Sequence, residues 1–373
     1  MADASGARRC RSGGCLRRTP VKMTLTFGDF GFNYIICRSR YIPDSWKGKM
    51  QKIERILVTG ACGQIGSELT PALREKYGGE NVVASDVRSS EKLSRGGPFE
   101  LCDVTDRASI DKIIRKYEVD TIFHMAAILS AVGEKYPFKC WNVNMNGTIN
   151  VLRSAMDGGV GRVVVPSSIA AFGPDTPTEN TPNDTILRPT TMYGVTKVCG
   201  ERLCDYYVER FGLDIRGLRY PGIISAETLP GGGTTDYAVD IFYKAVEKGE
   251  YTCFVSADTR LPMMYMPDCI KATIDLAEAD FARLERHSDF NGGSMSFSAS
   301  ELAEAVAEKI PGFRCDFEPD SRQAIADSWP SSIDDSAARE EWGWEPAWDL
   351  ESMVRDMIEK LSARHERGEL YPD

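Results

Sequence analysis

Short apolar runs alternate with longer amphipathic stretches between residues 53 and 219, regularly enough to predict elements. Arg55-Ile-Leu-Val-Thr59 is an apolar run that stops at a glycine-rich turn, the pattern of a parallel strand buried on both faces. A helix is predicted from Gln64 to about Lys76, then a strand over Asn81–Ser85 and another near Phe99–Cys102. A helix over Arg107–Tyr117, a strand over Thr121–His124, a helix over Trp141–Met156 and a strand over Arg162–Pro166 continue the alternation. The long helix Met192–Phe211 and a strand over Leu213–Leu218 complete it. Strands alternating with helices predict an α/β fold built on a doubly wound parallel sheet.

After Arg219 the rhythm breaks. Glycine and proline cluster at Pro230-Gly-Gly-Gly233, short elements follow, and Asp349–Arg364 is a charged amphipathic helix. Residues 53–219 are therefore expected to form the sheet domain. Residues 220–365 are expected to form mainly a smaller C-terminal substrate-binding lobe, interleaved with it, over the carboxyl ends of the strands.

The first 50 residues have a different texture. They hold ten Lys/Arg against three acids, +7, which leaves −17 of the net −10 on the rest of the chain. The basic run Arg8-Arg9-Cys10-Arg11 and the pair Arg17-Arg18 suit a mitochondrial transit segment; Met23 and Met50 leave open an upstream or tail segment and a cytoplasmic protein. The acidic body argues against nucleic acid as a partner. No apolar stretch approaches the roughly 20 residues of a membrane span. Eleven cysteines are scattered without a Cys-x-x-Cys pair, and the three histidines (His124, His287, His365) stand far apart, so no metal is expected. His124 reads as a packed side chain without chemistry.

The candidate chemistry begins where the first strand ends. Gly60-Ala-Cys-Gly63-Gln64-Ile65-Gly66 opens the first helix. Glycines there permit a tight turn and let backbone N–H groups and the helix terminus meet a pyrophosphate. Asp86, twenty residues past Gly66, ends the second strand, where a carboxylate accepts from adenosine ribose hydroxyls and repels a 2′-phosphate. NAD is thus favoured, with Arg88 keeping NADP open. Asp103 and Val104 end the third strand near the expected adenine, and Ala126 follows the fourth among small residues where the cofactor would pass. Together these predict a Rossmann-type dinucleotide site.

Tyr193-Gly-Val-Thr-Lys197 opens the long helix, and a spacing of four puts both side chains on one face. An ammonium and a positive nicotinamide favour the phenolate, which can then take a proton from a substrate alcohol as hydride leaves. Twenty-five residues before the tyrosine, Pro166-Ser167-Ser168 ends a strand, and either hydroxyl can steady the reacting oxygen. The Gly231–Gly233 amides with Thr234 and Thr235 suit a substrate carboxylate.

Glycine triad, strand-two acid, strand-five serine and Tyr-x-x-x-Lys, in this order, resemble the extended short-chain dehydrogenase/reductase family over about residues 53–365. The resemblance implies that Ser168 is the catalytic hydroxyl and Ser167 a substrate contact. Within the family, Arg219–Ala238, Leu261–Asp268 and Ser328–Ser336 resemble the short-chain L-threonine 3-dehydrogenases. That likeness implies NAD-dependent oxidation of L-threonine to 2-amino-3-oxobutyrate, consumed by a coenzyme-A-dependent ligase. It also implies substrate contacts from Ser130, Ser168, Tyr193, Thr234 and Trp329, and cofactor contacts from Tyr193, Lys197, Pro221 and Ile223. A homodimer through the helices Trp141–Met156 and Met192–Phe211 is a further family expectation. Ser168 stands where threonine is common in close relatives, and both carry a hydroxyl. A nucleotide-sugar epimerase or dehydratase is the first alternative, although Gly222–Lys244 offers one lysine and no arginine for a diphosphate. A non-catalytic NAD-binding sensor is the second.

Overall fold

Six parallel strands carry the first half of the fold. In the computed structural model, which describes residues 52–229 and 231–371, these are β1 (Ile56–Thr59), β2 (Val82–Asp86), β3 (Phe99–Leu101), β4 (Thr121–His124), β5 (Arg162–Val164) and, past the two-residue β6 (Ser167–Ser168), β7 (Asp214–Arg216). They pair in the order β3-β2-β1-β4-β5-β7, every pairing parallel. Every residue of β1, β2 and β4 is buried, as expected of strands covered by helices on both faces. The expected doubly wound α/β fold is thus present. Strand order reverses between β1 and β4, and the crevice beyond their carboxyl ends is where such sheets bind ligands.

Two predicted elements are broken, each for a physical reason. The predicted strand Leu213–Leu218 divides at Gly217 into β7 and β8 (Leu218–Tyr220). At Gly217 a Cβ would lie 2.5 Å from the Ser288 carbonyl oxygen and 2.6 Å from that of Val165. Only glycine lets three backbones meet so closely. Pro166 separates β5 from β6 at the neighbouring position, so both chains leave the main sheet together and form a second one. That sheet has the order β12-β8-β6, with β12 being Phe290–Asn291, and it sets Ser167 opposite Arg219 and Ser168 opposite Tyr220.

The predicted helix Trp141–Met156 is instead three segments, Pro137–Trp141, a π-helical turn Asn142–Asn146, and Gly147–Gly158. The π turn brings Asn144 inward. Its Oδ1 accepts from the Ile128 N–H at 2.8 Å, and its Nδ2 donates to the Ile128 carbonyl at 3.0 Å and to Thr196 Oγ1 at 3.1 Å.

Beyond residue 220 the chain forms a three-stranded sheet of β9 (Gly222–Ile224), β11 (Arg260–Tyr265) and β13 (Met295–Ser298). β10 (Glu250–Cys253) pairs with β14 (Arg314–Phe317). Tyr237–Lys248, Ala299–Lys309 and Leu350–Glu366 enclose a core that includes Phe242, Leu302, Met353 and Leu361. The helix Met266–Glu278 returns to the first sheet, where Ile274 and Ala277 share a core with Leu69 and Leu73. No described helix is long and apolar enough to cross a membrane. The basic segment and the transit expectation attached to it lie outside the described residues.

Asp214 on β7 binds two buried guanidiniums. Arg162 Nε donates to it at 2.9 Å, and Arg216 grips both carboxylate oxygens at 2.8 and 2.9 Å. Arg216 also satisfies the carbonyls of Leu276, Ala277 and Ala279, where the helix Met266–Glu278 ends. Asp214→Ala removes the shared carboxylate and is expected to cost about 3–5 kcal/mol in urea unfolding; a loss below about 1 kcal/mol would contradict this role.

Candidate active site

The glycine turn is shaped by backbone contacts on its inner side. Gly60 adopts φ +69°, and a Cβ there would lie 2.5 Å from Ala126 Cα and N; one on Gly66 would lie 2.2 Å from the Gly60 carbonyl oxygen. Gly63 caps the helix Gln64–Tyr77 without a side-chain hydrogen bond, so the first-turn amides face the cleft with their positive dipole end. Asp86 reaches this turn from β2. One carboxylate oxygen accepts from the Cys62 N–H at 3.0 Å and the other from the Arg88 N–H at 3.1 Å, leaving each a free lone pair. Arg88 donates to the Cys62 carbonyl at 2.9 Å and lies 3.9 Å from Asp86. Asp103 is exposed and closes its own turn by accepting from the backbone and hydroxyl of Thr105. Val104 is buried against Gly147.

From that turn a cleft of about 180 Å³ runs across the sheet edge. It brings together Gly63, Gln64, Ile65, Gly66, Ser130, Ser167, Ser168, Tyr193, Lys197, Pro221, Ile223, Thr234 and Trp329. Gly60, Asp86, Asp103, Val104 and Ala126 are not among its lining residues. Gln64 Nε2 donates to the Ile223 carbonyl at 3.3 Å, tying the helix N-terminus to β9. Ser130 and Thr234 join their hydroxyls at 3.1 Å, and Trp329 is both buried and part of the wall.

The long helix carries the central pair. Thr191 caps it by accepting from the Gly194 N–H, which starts the helix one residue before Tyr193. Ser168 lines the cleft together with Tyr193, and its hydroxyl accepts from the Ala170 N–H at 3.2 Å, whereas Ser167 donates its hydroxyl to buried Glu201 at 2.5 Å. Lys197 Nζ donates to the Pro166 carbonyl at 2.8 Å and sits 5.2 Å from the Tyr193 ring centre. Burial pushes the Tyr193 phenol up to about 12, against the opposing effect of Ser168, and pulls Lys197 down to about 8. The expectation that the ammonium lowers the phenol is therefore not met by the protein groups alone: the cost of burying the phenolate dominates. His124 lies between the hydroxyls of Thr59 (2.8 Å) and Thr148 (3.2 Å), and burial holds it neutral, down to about 3.

The amides of Gly232 and Gly233, expected for a substrate carboxylate, both donate to Asp236 Oδ2, at 2.8 and 2.7 Å. Asp236 lines the cleft, and burial raises it to about 6. Sequence reasoning passed over Asp236, Glu201 and Asn144. Only the spacing Tyr193-x₃-Lys197-x₃-Glu201, which continues the same helical face, pointed to any of them.

The model of the NAD dependent epimerase/dehydratase family matches residues 56–291. The chain belongs to this family, the extended short-chain dehydrogenases/reductases. An epimerase/dehydratase of uncharacterized function from Staphylococcus saprophyticus is 49% identical over 315 residues, covering 84% of this chain and 98% of its own. The structure of L-threonine dehydrogenase from Clostridium difficile is 50% identical with TM-score 0.82, covering 84% of this chain and 99% of its own. A monomeric L-threonine 3-dehydrogenase from a metagenome is also 50% identical, with TM-score 0.80, over 83% and 99% of the two chains.

As the glycine cradle of this family member is closed from inside by backbone atoms, Gly66→Val must displace the Gly60 carbonyl. It is expected to weaken NADH binding, read by nicotinamide fluorescence, at least tenfold; unchanged affinity would place the dinucleotide elsewhere.

Proposed function

We propose that this family member is an NAD-dependent L-threonine 3-dehydrogenase, oxidising the hydroxyl of L-threonine to give 2-amino-3-oxobutyrate. The observation that carries the reading is Asp236 in the same cleft as Tyr193, Ser168 and the Ser130–Thr234 hydroxyl pair. A small zwitterion needs an acceptor for its ammonium and donors for its carboxylate. Asp236 Oδ2 is held by two amides, leaving Oδ1 for an ammonium, while the Ser130–Thr234 hydroxyl pair keeps one hydrogen to donate. Lys197 is the only cationic side chain among the described residues lining the cleft, and a nucleotide sugar's diphosphate would need more. The similar L-threonine dehydrogenase structures support the same substrate.

The residues fit a dinucleotide: the cradle admits no side chain, the first-turn amides lack a side-chain cap, and Asp86 keeps lone pairs for ribose hydroxyls. Asp86 disfavours a 2′-phosphate, and Arg88, already bound to Cys62 and Asp86, is not free to offset it. NAD, when bound, supplies the hydride acceptor and a positive charge. Tyr193 takes the hydroxyl proton, Ser168 steadies the reacting oxygen, and Lys197 holds a positive charge beside the phenolate. The product is a β-keto acid suited to a ligase that cleaves it with coenzyme A.

Purified protein with NAD and L-threonine is expected to generate NADH absorbance, with other amino acids and UDP-sugars giving little. Sugar-nucleotide epimerisation without threonine turnover would reverse the assignment. Tyr193→Phe is expected to lower kcat by about 10²–10⁴-fold with NADH binding retained, as for loss of a general base; an active variant removes the tyrosine from its role, and a wild-type protein that binds NADH without turnover favours the sensor.

Asp236 is ionised above about pH 6. The KM for threonine is therefore expected to rise as pH falls through that value, and Asp236→Asn to raise KM at pH 8 at least tenfold and flatten the rise. A KM independent of Asp236 would exclude it from ammonium binding.

We propose further that a second copy covers the exposed aromatics Phe138 and Trp141 on one helix segment and Tyr206 and Phe211 on the long helix. Light scattering is expected to give a dimer, and Phe138→Asp with Tyr206→Asp a monomer; a monomeric wild type, as described for one similar structure, would refute this contact.

A further inference from the structure

A fully buried ion pair lies directly behind the reacting groups. Glu201 and Arg219 each have about 1% of their side-chain surface exposed. Arg219 Nε and Nη2 donate to the two Glu201 oxygens at 2.7 and 2.8 Å, and Asp289 lies 3.6 Å from Arg219. Such a pair is expensive to desolvate and adds little net stability over an apolar replacement, so its position invites another role. Glu201 Oε1 also accepts the Ser167 hydroxyl. Ser167 stands between Pro166, whose carbonyl holds Lys197, and Ser168, which lines the cleft with Tyr193. Glu201 itself lies one helical turn beyond Lys197, on the face that carries Tyr193. One carboxylate thus touches the strand end that follows the Lys197-holding Pro166 carbonyl and carries Ser168.

We propose that Glu201 is a positioning residue, which through Ser167 fixes the strand end bearing Pro166 and Ser168 and through its charge keeps the Lys197 ammonium protonated. The groups facing Lys197 are Tyr193, Glu201 and Cys204 from its own helix, Cys140 from the segment Pro137–Trp141, and neutral His124 from β4. Of these, Glu201 is the one carboxylate. Burial alone drives the lysine toward its neutral form, and the negative charge of Glu201 opposes this.

The proposal rests on Tyr193 and Lys197 being the reacting pair, and the test separates the two. E201Q keeps an oxygen for Ser167 but removes the charge, and Asp289 remains to offset Arg219. Removing a negative charge lowers every neighbouring pKa. The kcat–pH bell measured at saturating threonine is therefore expected to move to lower pH by about one unit, with kcat reduced about tenfold. In the ligand-free protein, trace labelling of Lys197 with acetic anhydride, read by peptide mass spectrometry, is expected to show its midpoint shifted the same way. E201D, which keeps the charge, is expected to restore the position of the bell though not the full rate. S167A, which keeps the charge and loses the tether, is expected to lower kcat several-fold without moving the bell. An E201Q protein with wild-type bell and labelling midpoint overturns the proposal, and so does S167A with wild-type kcat, which decides alone if E201Q does not fold. A wild-type protein that shows no threonine turnover defeats the functional reading instead, while the labelling of Lys197 still tests Glu201.

Discussion

The site is governed by the cost of keeping charge away from water. Tyr193 and Lys197 sit one helical turn apart in a buried place, and burial drives each toward its neutral form: the phenol up to about 12, the ammonium down to about 8. An ammonium that is itself half-willing to lose its proton is a poor stabiliser of a phenolate. The protein answers with the Ser168 hydroxyl, whose effect favours the phenolate, and with the Pro166 carbonyl, which accepts from the ammonium. These hold geometry but do not create the phenolate. In the function proposed, the base depends on a further positive charge entering the cleft, which couples cofactor binding to activation of the tyrosine.

That coupling needs the strand end bearing Ser168 to be placed accurately, and the fold does this by changing sheets. β5 and β7 stop together, at Pro166 and Gly217, and the chains continue as β6 and β8 in a separate sheet. Gly217 admits two carbonyls at distances no side chain would allow. The bend lifts Ser168 away from the sheet core toward the long helix, and places Arg219 where it can reach Glu201. The departure from a continuous strand is therefore what places Ser168 and Arg219.

Legibility followed sequence distance. The glycine turn, Asp86 and the Tyr193–Lys197 pair were readable because each is a local pattern: strand, turn and helix in succession, or two side chains four residues apart. What distinguishes Ser167 from Ser168 was not, because Ser167 gives its hydroxyl to Glu201, a contact across 34 residues. The division of the predicted helix at Asn144 was hidden for the same reason, since its amide is satisfied by Ile128 and Thr196, neither of them helical neighbours. The glycine run was legible as a turn but misread as an anion site. Its amides were correctly seen as donors to a carboxylate, but that carboxylate belongs to the protein.

This last exchange bears on what the cleft accepts. Had the Gly232 and Gly233 amides been free, they would have favoured an anion, and a phosphate would suit them as well as an amino acid. By turning them onto Asp236 the chain converts an anion-binding loop into a protein carboxylate, on which two N–H donors partly offset the burial that raises it to about 6. The lining of the cleft then includes one carboxylate, one ammonium and several hydroxyls. Such a distribution repels a diphosphate and is neutral to a zwitterion as a whole, while distinguishing its two ends. Orientation, rather than net attraction, is what this charge pattern supplies. An alcohol must be oriented if the hydride on its carbon and the proton on its oxygen are to reach different acceptors.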